Sequence, residues 1–217
     1  MNKIEAESII FDLDGTLWDS ADNVADSWNI AIKNADIPQL DIVEISGDDL
    51  RNAMGKPMDE LARHFFPMLS EDRQMKLLDR CMQTENEYVA KHGGKLFENE
   101  EAVLKALSEN HRLFIVSNCQ KGYIEAFLQS SALKKYFSGH LCWGDTGVQK
   151  SITIRLLMEK HGCSSAAYVG DTNGDCQAAF SAGIPFVHAA YGFGRISEQN
   201  LISAEAESFE KYAKIFG

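Results

Sequence analysis

The segment Ser8-Ile9-Ile10-Phe11-Asp12-Leu13 is an apolar run that ends in a carboxylate. It limits the possible folds more than any other feature. A short apolar run without polar alternation reads as a buried strand of a parallel sheet. Similar runs recur at Arg112-Leu113-Phe114-Ile115-Val116-Ser117, His140-Leu141-Cys142-Trp143, Ala166-Ala167-Tyr168-Val169-Gly170 and Pro185-Phe186-Val187-His188. Helical patterns separate the later runs, over Glu100 to Asn110, Gly122 to Leu133, Ser151 to His161 and Cys176 to Ala182. This alternation predicts an α/β fold, a doubly wound, Rossmann-like parallel sheet.

The first two strands are separated differently. About eighty residues from Leu17 to Lys95 read as helices joined by turns, too long for one crossover. Val24, Trp28, Ala31, Ile32 and Ala35 form one apolar stripe at helical spacing. Asp48 to Met54, Met58 to Phe66 and Glu71 to His92 supply further helices, broken at Pro38, Gly55-Lys56-Pro57 and Pro67. The expected organisation is a core of residues 1–17 and 93–217, with a small all-α helical cap inserted over 18–92.

Composition narrows the function. The 217 residues carry a net charge of −11, which argues against a nucleic-acid partner. An anionic substrate would then need local cations. The five cysteines are scattered with no CxxC pair, so reduced, mostly buried thiols are expected. No apolar run is long enough to span a bilayer and the first residues lack a signal-peptide pattern. The expectation is a cytoplasmic protein, with a monomer favoured.

Asp12 and Asp14 stand two apart at a strand end, so their side chains point the same way, and Gly15 permits a sharp turn. Paired carboxylates repel, and a cation or a proton must relieve them. Such a pair suits phosphoryl transfer: one carboxylate attacks phosphorus while the other moves protons. Taken alone, the pair fits a polar turn equally well. The second strand, however, ends in Ser117-Asn118, and the fourth in Gly170-Asp171-Thr172-Asn173-Gly174-Asp175. Open parallel sheets bind ligands at the carboxyl ends of their strands. Asp, Ser and Asn oxygens suit Mg²⁺. Lys150, ahead of the third helix, can supply positive charge, with Lys121 as the other possible cation.

These segments, in this order, resemble the haloacid dehalogenase superfamily of phosphatases, over nearly the whole chain. The similarity is nearest to the helical-cap subgroup that includes phosphoglycolate phosphatases and β-phosphoglucomutases. It rests on Phe11-Asp12-Leu13-Asp14-Gly15-Thr16-Leu17 with Asp19-Ser20, on Ile115-Val116-Ser117-Asn118, and on Val169-Gly170-Asp171-Thr172-Asn173-Gly174-Asp175. The resemblance implies that Asp12 is the nucleophile of a phosphatase acting on a small phosphorylated metabolite and Asp14 the general acid/base. It implies that Ser117, Asn118 and Lys150 hold the phosphate. Mg²⁺ would be bound by Asp12, the Asp14 backbone carbonyl and Asp171, with Asp175 either on the ion or one layer behind it.

Departures exclude relatives. Dehalogenases lack the second aspartate, so Asp14 speaks for phosphate chemistry. β-Phosphoglucomutases carry a catalytic histidine where Val24 stands here, which makes the mutase the alternative reading. Phosphonoacetaldehyde hydrolases place a cap lysine further along than Lys56. In capped relatives a turn between cap helices reads the leaving group, and Gly55-Lys56-Pro57 resembles it. Arg51 and Lys56 are therefore candidate specificity residues, or else solvated surface charges. Tyr191-Gly192-Phe193-Gly194 is expected to close one side of the pocket, and Cys119 to lie near the phosphate. A phospho-ligand binding module without turnover is the reading from another class.

Overall fold

The computed structural model describes residues 3–37, 40 and 44–217. The expected break at Pro38 lies outside the described residues. The chain enters through β1 (Ser8–Phe11) and turns at Gly15, where φ is +80°. It passes through β2 (Trp18–Asp19) into four helices: α1 (Ala21–Lys33), α2 (Gly47–Arg51), α3 (Met58–Phe65) and α4 (Glu71–His92). It returns through β3 (Lys95–Leu96), which pairs antiparallel with β2. The helical insertion thus leaves and re-enters through a two-stranded stem. There follow α5 (Glu100–Ser108), β4 (Arg112–Ser117), α6 (Tyr123–Ser131), β5 (Phe137–Cys142) and the short α7 (Trp143–Thr146). The remainder is α8 (Lys150–His161), β6 (Ala166–Gly170), α9 (Asn173–Ala182), β7 (Phe186–Ala189), β8 (Ile202–Ala206) and α10 (Tyr212–Ile215).

Six strands form one parallel sheet in the order β5-β4-β1-β6-β7-β8. The α/β parallel-sheet architecture expected from the sequence is the one observed. Every residue of β1 and β6 is buried, which explains their unbroken apolar runs. Strand alternation sends Ile9 and Phe11 into one apolar layer and Ile10 into the other, with Ile154 and Leu157 of α8. Asp12 follows on the parity of Ile10, toward the side where α8 and α9 begin. β1 is central, with β4 and β6 on either side, so successive connections run outward from it in both directions. The crevice at this reversal is where such sheets bind ligands.

In the insertion, α1 buries Ala21, Val24, Ala25, Trp28, Ala31 and Ile32, largely against α4. Trp28 stacks on Phe66 at 6.1 Å and meets Phe65 edge-on at 5.6 Å. Burying a side chain of this size contributes about 2–3 kcal/mol.

Some boundaries differ from expectation. β5 begins at Phe137 and ends at Cys142, and Trp143 opens α7 instead of closing the strand. α2 stops at Arg51, short of Met54. α9 starts at Asn173 because Thr172 and Asp175 form a reciprocal cap: Thr172 Oγ1 accepts from Asp175 N, and Asp175 Oδ2 accepts from Thr172 N. β8 has no counterpart among the expected strands. It is an edge strand, Ile-Ser-Ala-Glu-Ala, whose half-exposed alternation lacks the apolar run of its neighbours. Among the described residues no helix is long and apolar enough to cross a membrane.

Candidate active site

Three strand ends and one helix start converge. Asp12 continues the ladder past β1, its N–H donating to Val169 O at 2.8 Å. Ser117 ends β4, Asp171 follows β6, and Lys150 opens α8. Lys150 Nζ donates to Asp12 Oδ1 at 2.8 Å and to Asp175 Oδ1 at 2.6 Å, with all three side chains buried. Ligand oxygens of Asp12, Asp171 and Asp175 lie within 4.8 Å of one another. Lys121, the other possible cation, is exposed and is not among the residues lining the adjoining cavity.

The three carboxylates differ in what they have left to offer. Asp175 is committed at both oxygens: Oδ1 to Lys150, and Oδ2 to the Thr172 N–H and hydroxyl. Asp171 Oδ2 accepts from Phe193 N at 2.7 Å and Gly194 N at 3.1 Å. Its Oδ1 is buried and has no hydrogen-bond partner among the described residues. A buried acceptor in that state is costly unless a ligand satisfies it. Asp12 Oδ1 is held by Lys150, while no hydrogen bond among the described residues reaches its Oδ2. The loop Tyr191–Gly194 holds Asp171 through the Phe193 and Gly194 N–H groups, and none of its residues is among those lining the adjoining cavity. A Cβ at Gly192 would come within 2.4 Å of Asp171 Cβ, and one at Gly15 within 2.4 Å of Asp171 Oδ2. Only glycine admits so close an approach on both sides of the carboxylate.

Electrostatics points the same way. Three carboxylates facing one ammonium leave an excess of negative charge. Burial and then the Asp175 charge push Asp12 well above the usual carboxylate range, against the pull of Lys150. Burial and Asp175 likewise push Asp171 up to about 7, although the Phe193 and Gly194 N–H groups oppose this. Burial works to lower Lys150, but the Asp12 and Asp175 charges outweigh it and hold the ammonium protonated. A divalent cation would relieve this excess, and the all-oxygen donor set fits a hard ion such as Mg²⁺.

Asp14 lies beside the cluster and opens on the cavity. Its Oδ1 accepts from Trp18 Nε1 at 2.9 Å, Ser20 Oγ at 2.7 Å and Tyr123 Oη at 3.0 Å. Burial nevertheless raises its carboxyl above the usual range, the three donors only moderating this. Such a group retains a proton to higher pH, as a general acid must.

The cavity in front of Asp12 and Asp14 is roofed by the helical insertion. Ser117, Asn118 and Cys119 line it from the core, and Val24, Gly55 and Lys56 from the insertion. Asn118 Nδ2 donates to Gly55 O at 3.0 Å, so the turn before α3 is tied to the strand end after β4. Arg51 is not at the cavity. Its guanidinium is paired with Asp19 at 3.0 Å, Asp22 at 2.8 Å and Asp48 at 2.9 Å. All five cysteines are free thiols, and only Cys163 is not fully buried.

Several residues at the site escaped the sequence analysis. Tyr168 Oη donates to Val116 O at 2.8 Å and packs beside Lys150, whose Nζ lies 5.9 Å from the ring centre. Tyr123 reaches Asp14 across 109 positions. Glu85 and Gln120 line the cavity from α4 and from the loop after β4. Nothing in the spacing of these residues marks them. Ser20 alone carried a signal, standing in the Asp19-Ser20 pair that follows the first carboxylates.

The family model described as "Haloacid dehalogenase-like hydrolase" matches residues 9–189. A phosphoglycolate phosphatase of Yersinia pestis is 27 % identical over 194 residues, covering 85 % of this chain and 81 % of that protein. One of Escherichia coli (strain K12) is 28 % identical over 221 residues, covering 89 % and 85 %. The crystal structure of a predicted phosphoglycolate phosphatase from Haemophilus somnus 129PT superposes with a TM-score of 0.82 at 24 % identity, covering 97 % of each chain. A haloacid dehalogenase-like protein of Streptococcus pneumoniae gives 0.81 at 21 %, covering 96 % and 97 %; at these identities the structural likeness speaks to the fold. With the family model spanning β1 through β7 and the carboxylate cluster inside that span, the chain belongs to the haloacid dehalogenase-like hydrolase family.

Proposed function

We propose that this protein is a Mg²⁺-dependent phosphatase that hydrolyses a small phosphate monoester through an aspartyl-phosphate on Asp12. The observation that carries the reading is the buried trio Asp12, Asp171 and Asp175 around Lys150, with Asp171 Oδ1 left without a partner. The phosphatase relatives support it, and they put phosphoglycolate among the candidate substrates.

Asp12, Asp171 and the Asp14 backbone carbonyl would hold the metal, with Asp175 behind them steering Lys150. Bound there, Mg²⁺ would offset the charge of the cluster and of the phosphoryl oxygens. Lys150 fixes Asp12 through Oδ1 and leaves Oδ2 to attack phosphorus. As the Asp12–phosphorus bond forms, the ester oxygen leaves and takes a proton from Asp14. Its Oδ1 is anchored by Trp18, Ser20 and Tyr123, so Oδ2 is the oxygen free to carry that proton. Asp14 then accepts a proton from water, whose oxygen attacks phosphorus and breaks the bond to Asp12. Ser117 and Lys150 orient the phosphoryl oxygens. The insertion, 18–92, acts as a cap that keeps bulk water from the intermediate. Val24 lines the cavity and cannot move protons, which favours hydrolysis over a mutase reaction.

The test is phosphate release from an aryl phosphate with and without Mg²⁺. Turnover that needs the metal and vanishes in Asp12→Asn is expected. Tight phosphate binding with no release would instead identify a binding module.

A further inference from the structure

The leaving-group side of the cavity is built by the insertion, and its chemistry is specific. Val24, Trp28, Leu50, Met58 and Leu61 make an apolar wall. Set into it is Glu85 of α4, only 5 % exposed yet lining the cavity. Glu85 Oε2 accepts from Trp28 Nε1 at 2.5 Å, and Oε1 accepts from Gln120 Nε2 at 3.0 Å. Burial pushes the Glu85 carboxyl up to about 7 against these two hydrogen bonds; in its ionised form it has about four acceptor positions, so each oxygen keeps one unused.

The donors nearby are already engaged. The second Gln120 Nε2 hydrogen goes to Asn86 Oδ1 at 3.0 Å. The Tyr123 hydroxyl and the Trp18 indole both point at Asp14. Arg51, the cation the sequence offered for an acidic substrate, is spent on three aspartates. Among the described residues, Lys56 is the one cation lining the cavity, and it is solvent-exposed. The buried polar group that the insertion itself sets into this apolar wall is therefore an acceptor, the Glu85 carboxylate.

We infer that Glu85 is a specificity-determining residue that selects phosphate monoesters whose alcohol presents a hydrogen-bond donor, a hydroxyl or an ammonium, and disfavours leaving groups that carry a carboxylate. The inference rests on the phosphatase reading and departs from the substrate named for the relatives. Two carboxylates confined in one apolar site repel, and one must take up a proton. A penalty of 1.4 kcal/mol is already tenfold in an equilibrium constant.

Three substrates of matched size decide it: 2-hydroxyethyl phosphate, 2-aminoethyl phosphate and 2-phosphoglycolate, assayed with Mg²⁺. The expected kcat/KM for at least one of the first two exceeds that for phosphoglycolate by about tenfold or more. Glu85→Gln should narrow the ratio about tenfold, chiefly through KM. The amine losing most in the variant identifies an ionic contact, whereas equal losses identify a hydrogen bond. Phosphoglycolate turned over as well as or better than both others by the wild type overturns the inference and leaves the phosphatase reading standing. An unchanged ratio in a folded Glu85→Gln overturns the assignment to Glu85. The wild-type ratio decides the substrate class even if the variant does not fold. No hydrolysis of these or of an aryl phosphate overturns the phosphatase reading, and this inference with it.

Discussion

Lys150 Nζ sits 2.8 Å from Asp12 Oδ1 in a place where neither side chain is more than 5 % exposed. The same ammonium reaches Asp175. One cation therefore links the end of β1 to the start of α9 and aims the carboxylate proposed to attack. Desolvating such a group is expensive, and its two carboxylate partners offset that cost.

Removing the ammonium leaves buried carboxylates unpaired. Lys150→Met is expected to lower the unfolding free energy by about 3–5 kcal/mol in chelator. Mg²⁺ should restore part of this, since it supplies the missing charge. Urea denaturation with EDTA and with saturating Mg²⁺ measures both effects, and equal stability of variant and wild type in chelator would refute the electrostatic account.

Asp12→Asn keeps the shape of the side chain and removes the nucleophile. Phosphate release should fall by at least about a thousandfold, with the circular dichroism spectrum unchanged. Near-normal turnover of an aryl phosphate would sink the aspartyl-phosphate mechanism.

Asp14→Asn should discriminate between leaving groups. An alkoxide needs a proton as it departs, whereas a nitrophenolate needs little help. The loss in kcat is expected to be about 10²–10⁴-fold for an alkyl phosphate and smaller for p-nitrophenyl phosphate. Equal losses on both would show that Asp14 is not the acid.

Metal binding to the folded chain should appear in its melting curve. At a hundred times its dissociation constant, a ligand adds about 2.7 kcal/mol to stability. Mg²⁺ is expected to raise the wild-type Tm, and Asp171→Asn to abolish the rise by deleting the unpartnered oxygen. The check is differential scanning calorimetry over a Mg²⁺ series; an equal shift in the variant would count against Asp171 as a ligand.

Glu100 gives a pH prediction away from the site. It is 2 % exposed, with Oε2 accepting from Phe97 N at 3.2 Å and Oε1 unpartnered among the described residues. Burial raises its carboxyl from 4.5 to about 8, against the Phe97 hydrogen bond. Because the folded value is the higher, the stability associated with the proton is fully present below pH 4.5. It is lost as pH rises through about 8. Glu100→Gln should remove that dependence and stabilise the protein on the order of 4 kcal/mol at pH 8. Chemical denaturation of both proteins at pH 5 and pH 8 tests it, and parallel pH dependences would rule the idea out.

The burial of β1 could be read from Ile9, Ile10 and Phe11 because a strand covered on both faces has no polar residues to alternate. β8 could not be, since an edge strand with Ser203 and Glu205 alternating outward resembles an exposed loop. The periodicity places α9 from Cys176, three residues late, because its start is set by the pairing of Thr172 with Asp175, and Asp175 also fits a carboxylate cluster.

The sequence by itself determined the chemical groups at the strand ends, Asp12, Asp14, Ser117 and Asp171, because each follows directly from a local run and a turn. Tertiary structure decided what those groups can do. Lys150 is separated from Asp12 by 138 positions and Tyr123 from Asp14 by 109, so neither pairing has a local pattern. Arg51 is engaged by three aspartates and Glu85 lines the cavity for the same reason. A charge is available to a ligand only if its neighbours leave it free, and which neighbours it meets is set by the packing of α1, α2 and α4.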